Sequence, residues 1–265
     1  MRFFLLVSIV GLSLMPMLQA EEPKVVGKLE LNVESANSNL NELPKSVDLR
    51  PQFEEFGLKP RRQGKRPTCS VFTTAAALEF AWSKQQNKST ILSVEYLNWA
   101  CNKVIHKNTS RGQFFRHLLT AFDQHGICLE SEMPYRRKFN PSLAPSEDAF
   151  ATAKQINASH FEIHWIKRIG ETGAEVPESR LNEIKQVLAN GWPVAAGGSH
   201  SRLLVGYEDD TMTPGGGYFY TKDSGRGRFA QVTYEFAKNH AKGAFWVEPK
   251  EMPNVLDARE SSQSD

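Results

Sequence analysis

The sequence predicts an α+β protein built as two lobes. In the first half of the chain apolar residues recur at helical spacing, whereas in the second half they alternate or form short blocks of strand length. Helices first and strands later is the pattern of segregated α and β layers. Size agrees: 265 residues, 40% of them hydrophobic and 23% charged, suffice for one large domain or two packed subdomains with a real core.

Residues 1–20 carry Arg2, an apolar run from Phe3 through Leu14, Pro16, and Ala20 just before Glu21-Glu22, the layout of a secretory signal peptide. The uninterrupted run falls short of the ~20 residues of a membrane-spanning helix, so no integral membrane segment is expected after cleavage near Ala20. Residues 21–42 form a short polar leader, 43–249 the packed domain, and 250–265 a polar tail. Within the domain, Val71, Ala75, Leu78 and Trp82 make an apolar stripe on a helix over Ser70–Lys84. Phe115, Leu118, Leu119 and Phe122 repeat the pattern over Phe114–Gln124, which Gly126 ends. The period then changes. Phe161, Ile163 and Trp165 alternate with Glu162, His164 and Ile166 as in a half-buried strand; a helix over Leu181–Ala189 follows, then strands at Pro193–Ala196, Leu203–Tyr207, Tyr218–Lys222 and Ala244–Val247.

Lys and Arg number 32 against 30 Asp and Glu, a net charge of +2 that makes no electrostatic case for nucleic acid or an anionic membrane. A monomer is expected, outside the cytoplasm: secreted, periplasmic or otherwise exported. Its three cysteines, Cys69, Cys101 and Cys128, are an odd number for an exported chain, leaving one over if two pair.

Cys69 stands where a Pro-containing turn meets the first helix, and orphan N–H groups and the positive dipole end at a helix start favour a thiolate. Gln63, six residues earlier, can fold back to aim its amide beside the sulfur and, with the Cys69 N–H, form an oxyanion hole. His200 follows Gly197-Gly198-Ser199 and opens an apolar run, which puts an imidazole at the mouth of a strand. Asp223 ends another strand, where a carboxylate can fix one ring nitrogen of His200 and turn the other toward sulfur. His106, His125 and His240 read as surface residues and His117 as a helical one. His160 and His164 lie four apart, a spacing that pairs metal ligands on a helix but not on a strand.

These residues, with the segments around them, resemble the papain family of cysteine peptidases from about Leu43 to Val247. Leu43 to Arg50 resembles the start of such mature enzymes, and Gln63-Gly64 precedes Cys69 by the family's interval. Leu92-Ser93-Val94-Glu95-Tyr96-Leu97 resembles its "LS-x-x-x-L" segment, and Gly126-Ile127 with Pro134-Tyr135 its "GI…YPY" stretch. His200 through Tyr207 resembles "H-A-V-x-x-V-G-Y", Lys222-Asp223-Ser224 resembles "K-N-S-W", and the interval from Cys69 to His200 is about 130 residues. The chain departs from the family in five places. Arg66-Pro67-Thr68-Cys69-Ser70 keeps only the nucleophile of "C-G-S-C-W"; Gly225 replaces the aromatic shield; Asp223 replaces Asn; Gly112, followed by Gln113, is what remains of the Gly-Gly edge that binds substrate backbone; and the stretch from Pro193-Val194 to His200 is very short, which removes part of the usual leaving-group side of the cleft.

The resemblance implies a papain-like two-lobed fold with a helical lobe carrying Cys69, a sheet or barrel lobe carrying His200 and Asp223, and substrate bound between them. It implies a thiol peptidase acting on a peptide or protein, open to a proteinaceous inhibitor, with no metal or organic cofactor. Cys69, His200, Asp223 and Gln63 are its expected catalytic residues; Gly112, Gln113 and Ser199 are expected to border the substrate. Two other readings stay open: an amidase or peptide transferase of the same fold, and a papain-fold binding protein with little turnover. Export favours oxidation, and pairing Cys101 with Cys128 leaves Cys69 free, so that disulfide is expected.

Overall fold

The structure, a computed structural model, describes residues 43–169 and 177–250. The expected signal peptide, leader and all but the first residue of the polar tail lie outside the described residues. In chain order the elements are β1 (Ser46–Asp48), α1 (Arg50–Glu55), α2 (Cys69–Gln86), α3 (Val94–Val104), α4 (Phe115–His125), α5 (Glu147–Gln155), a 3₁₀ turn (Ala158–His160), β2 (Phe161–Lys167), α6 (Glu178–Ala189), β3 (Val194–Gly197), β4 (Arg202–Asp209), β5 (Gly217–Asp223), β6 (Arg228–Thr233), α7 (Tyr234–His240) and β7 (Gly243–Pro249). Among the described residues the strands form one antiparallel seven-stranded sheet of order β2-β7-β3-β4-β5-β6, with β1 also laid on β4 through Val47 opposite Tyr207. The α+β class and the helices-then-strands order are those the sequence predicts.

The α2 helix departs from its predicted one-sided stripe. Besides Val71, Ala75 and Leu78, its polar Ser70, Thr73, Thr74, Glu79 and Ser83 are buried. The reason is position: α2 packs against α3 and α4 on one side and β3, β4 and β7 on the other, so it is the shared wall of both lobes. Aromatic pairs close these seams. Phe53 stacks on Phe80 at 4.6 Å, Phe115 meets Phe245 edge-on at 4.9 Å, and Phe122 meets Phe161 at 5.4 Å.

A buried charge on such a wall needs partners. Glu79 takes the Leu92 N–H at 3.0 Å, pairs with Arg61 from the loop before α2, and lies 3.5 Å from the buried Lys222 of β5. Glu95 of α3 binds Arg66 at 2.6 Å and the Arg136 N–H at 3.1 Å. Ser93 caps α3 by accepting the Tyr96 N–H and donates to the Met133 carbonyl at 2.6 Å, which is what the Leu92–Leu97 segment does here. Together these contacts fix the loop from Leu58 to Thr68 against both lobes.

His160 belongs to the 3₁₀ turn and packs edge-on against Trp82, while His164, on β2, stacks on Trp246. The two do not share a ligand. His164 lies instead 2.8 Å from Glu248 and 3.7 Å from Glu162, and these three are the one trio of metal-ligating side chains that converges among the described residues. Trp246 and the two glutamates sit on the β2–β7 edge, not in the groove described next.

Candidate active site

Cys69 is the first residue of α2, and its N-cap, Thr68, makes no side-chain cap. The Thr68 hydroxyl is engaged elsewhere, 2.8 Å from the Tyr135 hydroxyl. The first N–H groups of α2 therefore have neither intrahelical acceptors nor a capping side chain. Cys69 is half-buried at one end of a groove of about 290 Å³ lined by Pro67, Gly112, Gln113, Phe115, Gly198 and Ser199 among others.

His200 follows the exposed Gly198-Ser199 turn between β3 and β4. Its Nε2 lies 2.9 Å from Asp223 Oδ1, which leaves Nδ1 as the ring nitrogen for the Cys69 thiol. Burial pushes the Cys69 thiol up, but the hydrogen bond with His200 and the N–H groups of Ser201 and Ser70 outweigh it and hold the thiol below its ordinary range. For His200 the hydrogen bonds to Asp223 and to Cys69 overcome burial and raise the ring to about 9. A thiolate–imidazolium pair is the state these two opposite shifts favour, and the protons come off it as a coupled system.

Asp223 ends β5 and its side chain is 2% exposed. Burial alone would raise its pKa; the His200 bond, the charges of His200 and Arg202, and the Gly225 N–H outweigh that and hold the carboxyl far below the usual carboxylate range. Its Oδ1 accepts from His200, from the Gly225 N–H at 2.8 Å and from the Arg226 N–H at 3.3 Å, and its Oδ2 accepts from Arg202 Nε at 3.0 Å. Gly225 stands where an aromatic shield was expected from the resemblance. A Cβ there would lie 3.1 Å from His200 Cε1 and 3.2 Å from Asp223 Oδ1, so the backbone itself covers the His–Asp bond.

Gln63 is buried and tied at both ends. Its Oε1 accepts from Ser224 Oγ at 2.8 Å, its Nε2 donates to the Arg66 carbonyl at 2.9 Å, and its backbone N–H donates to the Ser224 carbonyl at 3.0 Å. A primary amide has two N–H bonds, so one remains after the Arg66 contact. Gly112 is held by its N–H to the Pro67 carbonyl at 2.8 Å, and a Cβ there would come within 2.4 Å of Ser70 Oγ. Only glycine lets that strip of backbone approach the start of α2 so closely. The expected border residues Gly112, Gln113 and Ser199 thus line one groove with Cys69.

The expected disulfide is absent. Cys101 and Cys128 are free thiols in the structure, 1% and 0% exposed, and burial pushes each up to about 12. Both serve as small apolar side chains of the helical core, and the Cys128 thiol donates to the Leu129 carbonyl at 3.5 Å.

Sequence reasoning missed three contributors: the Ser201 N–H at the sulfur, the Ser224 hydroxyl on Gln63, and Arg202 on Asp223. A signal for Arg202 is present in the sequence, since a charged residue opens the otherwise apolar Leu203-Leu204-Val205 run beside a strand that ends in aspartate.

Comparisons with known proteins agree in direction. A sequence profile described as papain family cysteine protease matches residues 43–242. The structure is similar to xylellain, a cysteine protease from Xylella fastidiosa, with 20% identity, a TM-score of 0.60, and 79% of this chain and 88% of that one covered. It is also similar to digestive procathepsin L 3 of the Tenebrio molitor larval midgut, with 18% identity, a TM-score of 0.58, and 80% and 72% covered. The proform of the ragweed pollen allergen Amb a 11, a cysteine protease, gives 17% identity, a TM-score of 0.60, and 81% and 69% covered. At such identities the structural likeness speaks for the fold alone. No curated protein matches the sequence.

Proposed function

Since the chain belongs to the papain family of cysteine proteases, its substrates are peptides or proteins, and we propose that it is an exported endopeptidase acting through Cys69, His200 and Asp223 by way of a thioester. One observation carries this reading: the His200 ring bonds Asp223 through Nε2, which leaves Nδ1 for a Cys69 sulfur set at the uncapped start of α2, beside a groove.

The chemistry follows from that arrangement. The Cys69 thiolate attacks the carbonyl carbon of the scissile bond, and the negative charge that develops on oxygen is met by the Cys69 N–H and the remaining N–H of Gln63. The His200 imidazolium gives its proton to the leaving amine as the C–N bond breaks, forming the thioester. Neutral His200 then takes a proton from water as it adds to the thioester, and the carboxylic acid leaves with the thiolate restored. Gly112 offers backbone beside the groove for an extended peptide, with Gln113 and Ser199 at its border.

A labelled peptide library incubated with the purified protein tests the reading. Internal cleavage with a free carboxylate at each new end, lost in Cys69→Ala, is expected. Accumulation of a product joined to an added amine makes it a transferase, and peptide binding without turnover makes it a binding protein. Export is tested separately, by finding the mature protein outside the cytoplasm with its first residue near Glu21.

A further inference from the structure

Asp223 is a buried carboxylate where the resemblance leads one to expect a neutral amide. A lone buried charge is costly, and here it would act on His200 at hydrogen-bond distance. Both carboxylate oxygens are in fact employed, each by a different cation: Oδ1 by His200, Oδ2 by Arg202 Nε at 3.0 Å. Arg202 opens β4 two residues after His200 and pairs with Ala196 of β3. Its guanidinium also lies 5.4 Å from the Phe236 ring of α7, which limits where it can go.

We propose that Arg202 is a positioning residue: by holding the Asp223 oxygen that His200 does not use, it makes the buried carboxylate a charge-balanced acceptor for the His200 ring. The proposal rests on Cys69 and His200 being the reacting pair. His200 has to alternate between acid and base in the cycle above. A carboxylate with no other counter-charge would hold the ring as imidazolium and leave it a poor base for the water step. A permanent guanidinium charge on the far oxygen removes the net charge while keeping the acceptor and its direction.

Among the described residues the groups that face His200 from each packed element are few. Cys69 comes from α2, Asp223 from β5, Arg202 from β4, and His240 of α7, stacked on Phe236, lines the same small cavity. Arg226 reaches Asp223 with its backbone N–H, and Lys222, although next in sequence, is directed to Glu79.

The test is the pH dependence of iodoacetamide alkylation of Cys69, which reads the thiolate–imidazolium pair without needing turnover, measured beside peptidase activity. Arg202→Gln removes a positive charge, so the acid limb, where the thiolate protonates, and the alkaline limb, where the imidazolium loses its proton, should both rise by about one pH unit. Asp223→Asn removes a negative charge and should lower both by a similar amount. The double variant, a neutral pair replacing an ion pair, should return both limbs to within a few tenths of the parent, and Arg202→Lys should stay nearer the parent than Arg202→Gln. A role limited to bracing the fold predicts a lower rate in Arg202→Gln with both limbs unmoved, and that result overturns the proposal. Should Arg202→Gln fail to fold with Asp223 left half-paired, the other variants decide: a double variant as displaced as Asp223→Asn alone also overturns it. If Cys69 in the parent titrates in one step like an ordinary thiol, the reading of the reacting pair fails and the role of Arg202 falls with it. A parent showing both limbs, without opposite shifts in the variants, sinks only Arg202.

Discussion

Cys69 and the pair Cys101 and Cys128 show what sets one buried thiol of three apart from the others. All three are pushed up by burial, and for each that is the largest single influence. Cys101 and Cys128 have little to set against it and reach about 12, Cys128 with the Glu132 charge adding to the rise. Cys69 has His200, the Ser201 N–H and the Ser70 N–H, and ends below its ordinary range. The helix start that first marks Cys69 in the sequence is thus one contribution among several. The decisive partner arrives from the other lobe, about 130 residues along the chain.

The largest test of that contrast removes one sulfur from each region. Cys69→Ala should lower kcat/KM for a peptide substrate by about 10⁴-fold or more, whereas Cys101→Ala should leave it within a few-fold of the parent. Equal losses would erase the distinction between the two regions. Asp223→Ala removes the acceptor that orients His200, and the rate should fall about 10³-fold at every pH because the ring loses its direction toward sulfur. An Ala variant as active as the parent would reduce Asp223 to a turn residue. Gln63→Ala should cost about 10²-fold in kcat with KM little changed, the mark of a donor used in the transition state. A change confined to KM would place Gln63 in substrate binding instead.

The smallest effect concerns stability. Cys101→Ala removes a buried sulfur from the helical core and should lower unfolding free energy by about 1 kcal/mol, read from the denaturant midpoint. A loss several times larger, together with a Cys101–Cys128 peptide found on non-reducing mapping, would restore the disulfide that the structure lacks.

The strongest elements of the fold were legible because their burial is local and periodic. The helix over 70–84, the helix over 114–124, and the apolar cores of β3, β4 and β5 announce themselves in their own residues. What was not legible depends on neighbours. The three-residue β1 exists because β4 pairs with it, and β6, exposed or half-buried along its length, carries no apolar alternation. The one-sided stripe read on α2 became an all-round burial because two lobes share that helix. In the site, Cys69, His200, Asp223 and Gln63 could be named from residue type, order and resemblance. Arg202 left only a faint mark, a charged residue at the head of an apolar run, because the Asp223 oxygen it binds is seen to be buried only in three dimensions. The disulfide was expected from redox logic, while the structure uses both thiols as core packing.

Gln63 is fastened to Ser224 twice, once through its backbone and once through its side chain, across 161 positions of sequence. Closing a loop of that length is among the slower events in assembling a chain, because its entropy must be lost before the contacts return anything. On refolding from denaturant, helical signal can therefore recover while the amide of Gln63 is still unplaced. Regained activity would clock the meeting of the chain's two halves, a kinetic marker that spectroscopy of either half alone does not provide.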